Sequence, residues 1–219
     1  MNSPLRVLIA DDHELVRKGL RSVIQSRAGW VVCGEAQNGR EAVDKALELR
    51  PHIVVMDLTM PEMNGLEATR RIRHSLPDTE VLILSMHHSE PLIHEVLAAG
   101  ARGYLLKSDA GHAVLDALES LRQHKPFFTS RVSEVLLNAY MDPETAEAGK
   151  PAAAAGLTPR EREIAQMIAE GRSSKEIGAA LGITESTAET HRTNLMRKLG
   201  VHSVSEIVRY AIRNKMIEP

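Results

Sequence analysis

Five short apolar runs divide the first 122 residues, and the gap between each pair is long enough for one helix. This alternation restricts the chain more than any other feature. The runs are Leu5–Ala10, Trp30–Ala36, residues 52–57, Glu80–Ser85 and Gly103–Leu106. Between the first two, Leu15, Val16, Leu20, Val23 and Ile24 recur at helical spacing. Asn38-Gly39 opens a helix that runs through Leu49 and is stopped by Pro51. Further helices are predicted over about 65–74, Pro91 to Ala99 with Gly100 as C-cap, and 110–122. A β-α unit repeated five times predicts an α/β domain, a parallel sheet with helices on both faces.

The third run reads His-Ile-Val-Val-Met-Asp-Leu-Thr-Met-Pro-Glu-Met-Asn-Gly over residues 52–65. Its β-branched centre suits a strand buried on both faces. Asp57 then stands at the carboxyl end of that strand, the edge where open α/β sheets place their sites. Taken alone, Asp57 reads equally well as a turn residue. Aromatic residues make up only 3% of the chain, so the cores must be aliphatic. The single cysteine, Cys33, excludes an internal disulfide framework and reads as a small core residue. No apolar run approaches the roughly 18 residues of a membrane helix. The N-terminus shows no basic region followed by a long apolar block, so a cytoplasmic protein is expected.

The composition changes along the chain. Residues 1–125 form the first domain and 126–156 a linker carrying one apolar helix at about 130–140. Met141 to Gly156 is rich in Pro, Ala, Gly, Glu and Lys. Residues 157–219 are helical throughout. Thr158-Pro159-Arg160-Glu161 combines an N-cap, a first-turn proline and a capping box, and Ser173 to Glu176 forms a second box. Acidic residues outnumber basic ones before residue 150, and basic ones outnumber acidic ones after it. The basic tail hints at a polyanionic partner.

Three acids end the first and third runs: Asp11 and Asp12 follow the first, and Asp57 closes the third. If those strands are neighbours, the carboxylates converge, and like charges so close call for a cation. A hard divalent ion with oxygen ligands suits them, and Mg²⁺ is favoured because it uses few carboxylates and tolerates a phosphate. Ser85 and Lys107 end the fourth and fifth strands on the same edge, where a hydroxyl and an ammonium can meet phosphoryl oxygens. His13, His87 and His88 lie near this edge without zinc-site spacing and read as loop residues.

On the residues Asp11-Asp12, Asp57 with Met-Pro-Glu-Met-Asn-Gly behind it, Ser85, Tyr104 and Lys107, the chain over about 4–122 resembles a bacterial response-regulator receiver domain. The resemblance implies a flavodoxin-like fold with strand order 2-1-3-4-5. It also implies that Asp57 accepts a phosphoryl group from a sensor histidine kinase. Asp12, Asp57 and the Thr59 backbone carbonyl would hold Mg²⁺, with Asp11 assisting through water. Lys107 and Ser85 would bind phosphoryl oxygens, and Tyr104 would change rotamer with Ser85. Ser108 stands where many receivers have proline after the lysine, which puts a cis peptide there in doubt.

In the tail, residues 173–198 fit a helix-turn-helix. Ala188, His191, Leu195 and Leu199 share one face of the third helix and should pack inward. Glu189, Thr190, Thr193 and Arg197 share the opposite face and could reach base edges. Thr187, Arg192 and Lys198, with Lys175 and the helix start at Ser174, could contact phosphates. An ordinary bundle with a solvated face fits the periodicity as well. The stretch Leu-Thr-Pro-Arg-Glu-Arg-Glu, then Lys-Glu-Ile, then Thr-Ala-Glu-Thr-His-Arg-Thr-Asn-Leu-Met-Arg-Lys-Leu-Gly-Val is similar to the LuxR-type DNA-binding domain. Ala188 replaces the usual Val, and Glu189 stands where some relatives carry Lys.

With both halves, the chain resembles a NarL/FixJ-family response regulator. That implies a transcription factor switched by phosphorylation, a sensor kinase and promoter DNA as partners, and pairing of two chains on activation. Val204, Ile207, Val208 and Ala211 are candidates for tail dimerisation or for the domain core. Two rivals are weaker. A haloacid-dehalogenase-type phosphatase needs an acid where Thr59 stands. A quorum-type regulator needs an apolar, often aromatic sensor pocket that the acidic front lacks.

Overall fold

All five positions of the central strand, Ile53–Asp57, are buried, and the N-terminal unit is built outward from it. The computed structural model describes residues 4–86, 90–129, 132–134, 157–201, 203–214 and 216–217. These fall into two units, an N-terminal α/β unit and a C-terminal helical unit.

In the first unit the strands are β1 (Leu5–Ala10), β2 (Trp30–Ala36), β3 (Ile53–Asp57), β4 (Glu80–Ser85), β5 (Gly103–Leu106) and β6 (Phe127–Phe128). They form one parallel sheet in the order β2-β1-β3-β4-β5-β6. The helices are α1 (Glu14–Gln25), α2 (Gly39–Leu49), α3 (Gly65–Ser75), α4 (Glu90–Ala98) and α5 (Ala110–Arg122). Five strands were expected. The sixth is two residues long, too short for any periodicity to announce it, and lies inside the stretch read as linker. Of the helix expected at about 130–140, residues 132–134 are helical, and the rest lies outside the described residues. So do Met141 to Gly156.

Period-two alternation sends neighbouring strand residues to opposite faces. Val7, Ile9, Val55, Leu82, Leu84 and Leu105 pack with Leu20 and Ile24 of α1 and with Val114, Leu118 and Leu121 of α5. Leu8, Val54 and Ile83, directed the other way, are equally buried, on the side where α2 and α3 contact the strands. Each of these side chains contributes about 1.5–3 kcal/mol by leaving water. Asn38 and Asn64 cap α2 and α3, each accepting from the N–H three residues on. In β1–β3 pairing, Ala10 stands opposite Met56, so the residue after each lies at the same sheet edge.

The second unit has four helices, α6 (Pro159–Ala169), α7 (Ser174–Leu181), α8 (Glu185–Leu199) and α9 (Val204–Arg213). Capping boxes open α6 at Thr158, α7 at Ser173 and α9 at Ser203. Gly182 and Gly200 end α7 and α8 with φ of +64° each, a conformation that favours glycine. Ile164, Ile168, Ile177, Ala188, Leu195, Ile207 and Ala211 form the core. Ile207 and Ala211 therefore take the core role, whereas Val204 is 38% exposed.

Gly65 begins α3 directly over the end of β3. A Cβ there would lie 1.9 Å from the Asp57 carbonyl oxygen, and the Gly65 N–H already donates to the Leu58 carbonyl at 2.8 Å. Gly19, inside α1, has nothing within 4 Å of such a Cβ. Urea titration should therefore separate the two. Gly65→Ala should lose about 2–3 kcal/mol through overpacking against backbone. Gly19→Ala should gain about 0.5–1 kcal/mol from reduced chain entropy.

Candidate functional site

The C-terminal edge of the sheet gathers side chains from three loops. Asp11 is 1% exposed and Asp57 4%. The carboxylate oxygens of Asp11, Asp12 and Asp57 and a ring nitrogen of His13 all lie within 4.8 Å of one another. Lys107, the residue directly after the end of β5, sends its Nζ to within 2.9 Å of Asp11 Oδ2 and 2.9 Å of Asp57 Oδ2. Its own N–H donates to the Ser85 carbonyl at 2.8 Å, which fixes the β5–α5 loop against the end of β4. The Asp11 N–H donates to the Ala36 carbonyl at 3.1 Å, and Asp11 Oδ1 accepts from the His13 N–H at 2.8 Å.

Burial pushes the Asp57 carboxyl up to about 6; the Lys107 ammonium works against this, while the Asp11 and Asp12 charges add to it. Burial also presses on Lys107, but the Asp57 and Asp11 carboxylates outweigh it and hold the ammonium above its usual range. Three carboxylates thus face one fixed ammonium. The three carboxylates, which one ammonium cannot balance, offer the oxygen donors that suit a hard divalent ion.

Ser85 and Tyr104 are both buried, and their hydroxyls share a hydrogen bond; burial still raises the Tyr104 phenol. Thr59, half-buried, lies in the same loop two residues beyond Asp57. Among the described residues no peptide bond is cis, including the one before Ser108. His87 and His88 lie outside the described residues. His13 lies in the loop after β1, as read from the sequence, and places Nδ1 2.7 Å from Asp12 Oδ1. Arg17, on an amphipathic helix where a charge reads as solvated, is buried and donates to the Asp11 carbonyl at 2.8 Å. Nothing local in the sequence flags that contact.

In the helical unit, Glu189, Thr190, Thr193 and Arg197 are exposed along α8, opposite the buried Ala188 and Leu195. His191 and Leu199 are half-buried, as is Arg192. Thr190 Oγ1 donates to the Ser186 carbonyl, and Arg197 Nη2 to Asn194 Oδ1 at 2.9 Å. Ser174 is the first residue of α7 and Lys175 beside it is exposed. Two of the expected phosphate contacts already have structural partners. Thr187 shares a 2.8 Å hydroxyl bond with the N-cap Thr184, and Lys198 Nζ is 2.7 Å from Glu161 Oε2 of α6.

Two family models match the chain, the response regulator receiver domain over residues 7–119 and the bacterial regulatory proteins of the luxR family over 155–211. The chain is 37% identical to the transcriptional regulatory protein MctR of Rhizobium johnstonii, over 97% of its own length and 95% of the relative's. It is 38% identical to the transcriptional regulatory protein LiaR of Bacillus subtilis, over 97% and 99%. Among solved structures it is similar to RcsB from Salmonella enterica serovar Typhimurium bound to promoter rprA in the presence of phosphomimetic BeF3−. That likeness has a TM-score of 0.59 at 25% identity and covers 94% of this chain and 98% of the other. The chain belongs to the NarL/FixJ family of response regulators, phosphorylation-dependent transcriptional regulators that join a receiver domain to a LuxR-type helix-turn-helix.

Proposed function

We propose that Asp57 is the phosphoacceptor of this regulator and that α8 reads promoter DNA. The observation that carries the first part is Lys107, held 2.9 Å from both Asp57 and Asp11 in a buried acidic pocket. A carboxylate oxygen of Asp57 forms the new O–P bond as the N–P bond of a sensor kinase phosphohistidine breaks, and the electron pair stays on the imidazole. Lys107 receives a phosphoryl oxygen, and the Ser85 hydroxyl exchanges Tyr104 for another. Asp12, Asp57 and the Thr59 carbonyl, with Asp11 assisting, would hold Mg²⁺, which would supply positive charge to the carboxylates and phosphoryl oxygens. The aspartyl phosphate adds about −1.5 to −2 charge at this edge. The direct Ser85–Tyr104 bond gives that charge a route toward the β5 face.

Glu189, Thr190, Thr193 and Arg197 face the base edges, with Glu189 suited to accept from cytosine N4. Ser174, Lys175, Thr187, Arg192 and Lys198 meet phosphates, so Lys198 must leave Glu161 when DNA binds. Two chains paired on activation read two half-sites in the cytoplasm. Among the described residues no helix is long and apolar enough to cross a membrane.

DNA-selection sequencing of the full chain with and without acetyl phosphate tests this reading. Asp57→Ala should abolish the response to the donor; an unchanged response would remove Asp57 from the acceptor role. Thr193→Ala should change which sequences are enriched. Lys198→Ala should weaken all sites alike and make the log K against log[salt] plot shallower by about 0.9. An unchanged slope would leave Lys198 as a partner of Glu161 alone.

The raised Asp57 carboxyl sets a pH dependence of stability in the magnesium-free protein. Because the folded value lies above the ordinary 3.8, the native state holds this proton more tightly than the unfolded chain. Stability is therefore lost as pH rises from about 4 through 6, and the charged form costs on the order of 3 kcal/mol at neutral pH. Asp57→Asn should stabilise the magnesium-free protein by about that much at pH 7.5 and hardly at all near pH 4. Chemical denaturation at the two pH values measures the difference.

A further inference from the structure

Arg17 is the one arginine among the described residues that is less than a tenth exposed. Burying a guanidinium is expensive unless its donors are used. Here they are aimed at the β1–α1 turn and at β2. Nη1 donates to the backbone carbonyl of Asp11 at 2.8 Å, and Nε lies 3.3 Å from Glu35 Oε2. Glu35, near the end of β2, is itself held by Arg21, whose Nε is 2.6 Å from Oε1. Lys45 of α2 donates to the Glu35 backbone carbonyl.

The carbonyl that Arg17 grips belongs to the peptide joining Asp11 to Asp12. That peptide is planar, so holding its oxygen also restrains the nitrogen and Cα of Asp12, from which the side chain leaves. The other backbone group of Asp11, its N–H, is already tied to the Ala36 carbonyl at 3.1 Å. With both backbone groups of Asp11 anchored, the turn that presents Asp11 and Asp12 beside Asp57 has little freedom left. Two like charges in neighbouring positions would otherwise tend to swing apart toward water.

We propose that Arg17 is a positioning residue for the magnesium site, oriented by Glu35 and acting through the Asp11–Asp12 peptide. The inference rests on the reading of Asp11, Asp12 and Asp57 as the metal site. Arg17 touches neither the metal nor the phosphoryl group. Its effect is to hold the acid pair so that the ion meets a formed site, as groups behind metal ligands do elsewhere.

Titration calorimetry with MgCl2 alone, on the full unphosphorylated chain, tests the proposal. Arg17→Met and Glu35→Gln should each raise the Mg²⁺ Kd by about tenfold or more. Arg21→Gln is the control: it loses a bond to the same Glu35 but makes none to Asp11, so its Kd should stay within about twofold, the scatter expected away from such shells. In parallel, the Mg²⁺ concentration for half-maximal phosphorylation by acetyl phosphate should rise in Arg17→Met and Glu35→Gln with the plateau rate retained. If Arg17→Met does not fold, Glu35→Gln decides. Variants that melt at lower temperature but bind Mg²⁺ like the wild type would overturn the proposal and leave a purely structural ion pair. An equal loss in Arg21→Gln would also overturn it. Failure of the wild type to bind Mg²⁺ would instead overturn the metal reading of the acids, and this inference with it.

Discussion

The ammonium of Lys107 between Asp11 and Asp57 is the contact on which the rest of the receiver unit depends. Two carboxylates that are nearly inaccessible to water cannot share a pocket without a positive charge, and Lys107 reaches both at 2.9 Å. The compensation is incomplete, which is why burial still raises Asp57 to about 6. An under-neutralised acidic pocket is poorly stable as it stands and chemically ready to take up more positive charge. The same imbalance that costs stability makes the site receptive to a divalent cation.

That arrangement is imposed by the sheet. β1 and β3 pair side by side although a whole β-α unit separates them in sequence, because β2 lies on the outside. Four strand ends deliver functional groups to a common edge: the acids from β1 and β3, the hydroxyl from β4 and the lysine beyond β5. Gly65 lets α3 start against the Asp57 carbonyl, which sets where the loop after β3 ends. The helical unit follows different rules. Capping boxes and left-handed glycines define where its helices begin and end, and α8 is left with one face in the core and one in solvent.

Much of this could be read locally. Apolar runs of strand length, broken by Gly, Pro and Asn, place β1 to β5 and the helices between them. Thr158-Pro159-Arg160-Glu161 announces α6 because each residue satisfies a helix-end need by itself. The third capping box, Ser203 to Glu206, carries the same signal and was overlooked beside the apolar pattern of α9. β6 was not legible, since two phenylalanines show no period and owe their strand form to pairing with Gly103 and Tyr104. Arg17 was not legible because a residue's burial depends on what packs over it.

The sequence alone determined which segments form β1 to β5 and the helices between them, and which acids, hydroxyl and lysine stand at strand ends. Those properties depend on neighbours within a few residues. Only the tertiary structure decided which of those groups share a charge environment. It bonded Lys107 to two acids from different strands, tied the Ser85 hydroxyl to Tyr104, committed Lys198 to Glu161 and turned Arg17 inward to grip the Asp11 carbonyl. Such pairings join residues tens of positions apart or on separate elements. Their strength depends on burial and on distances of a few ångströms, neither of which exists until the chain has packed.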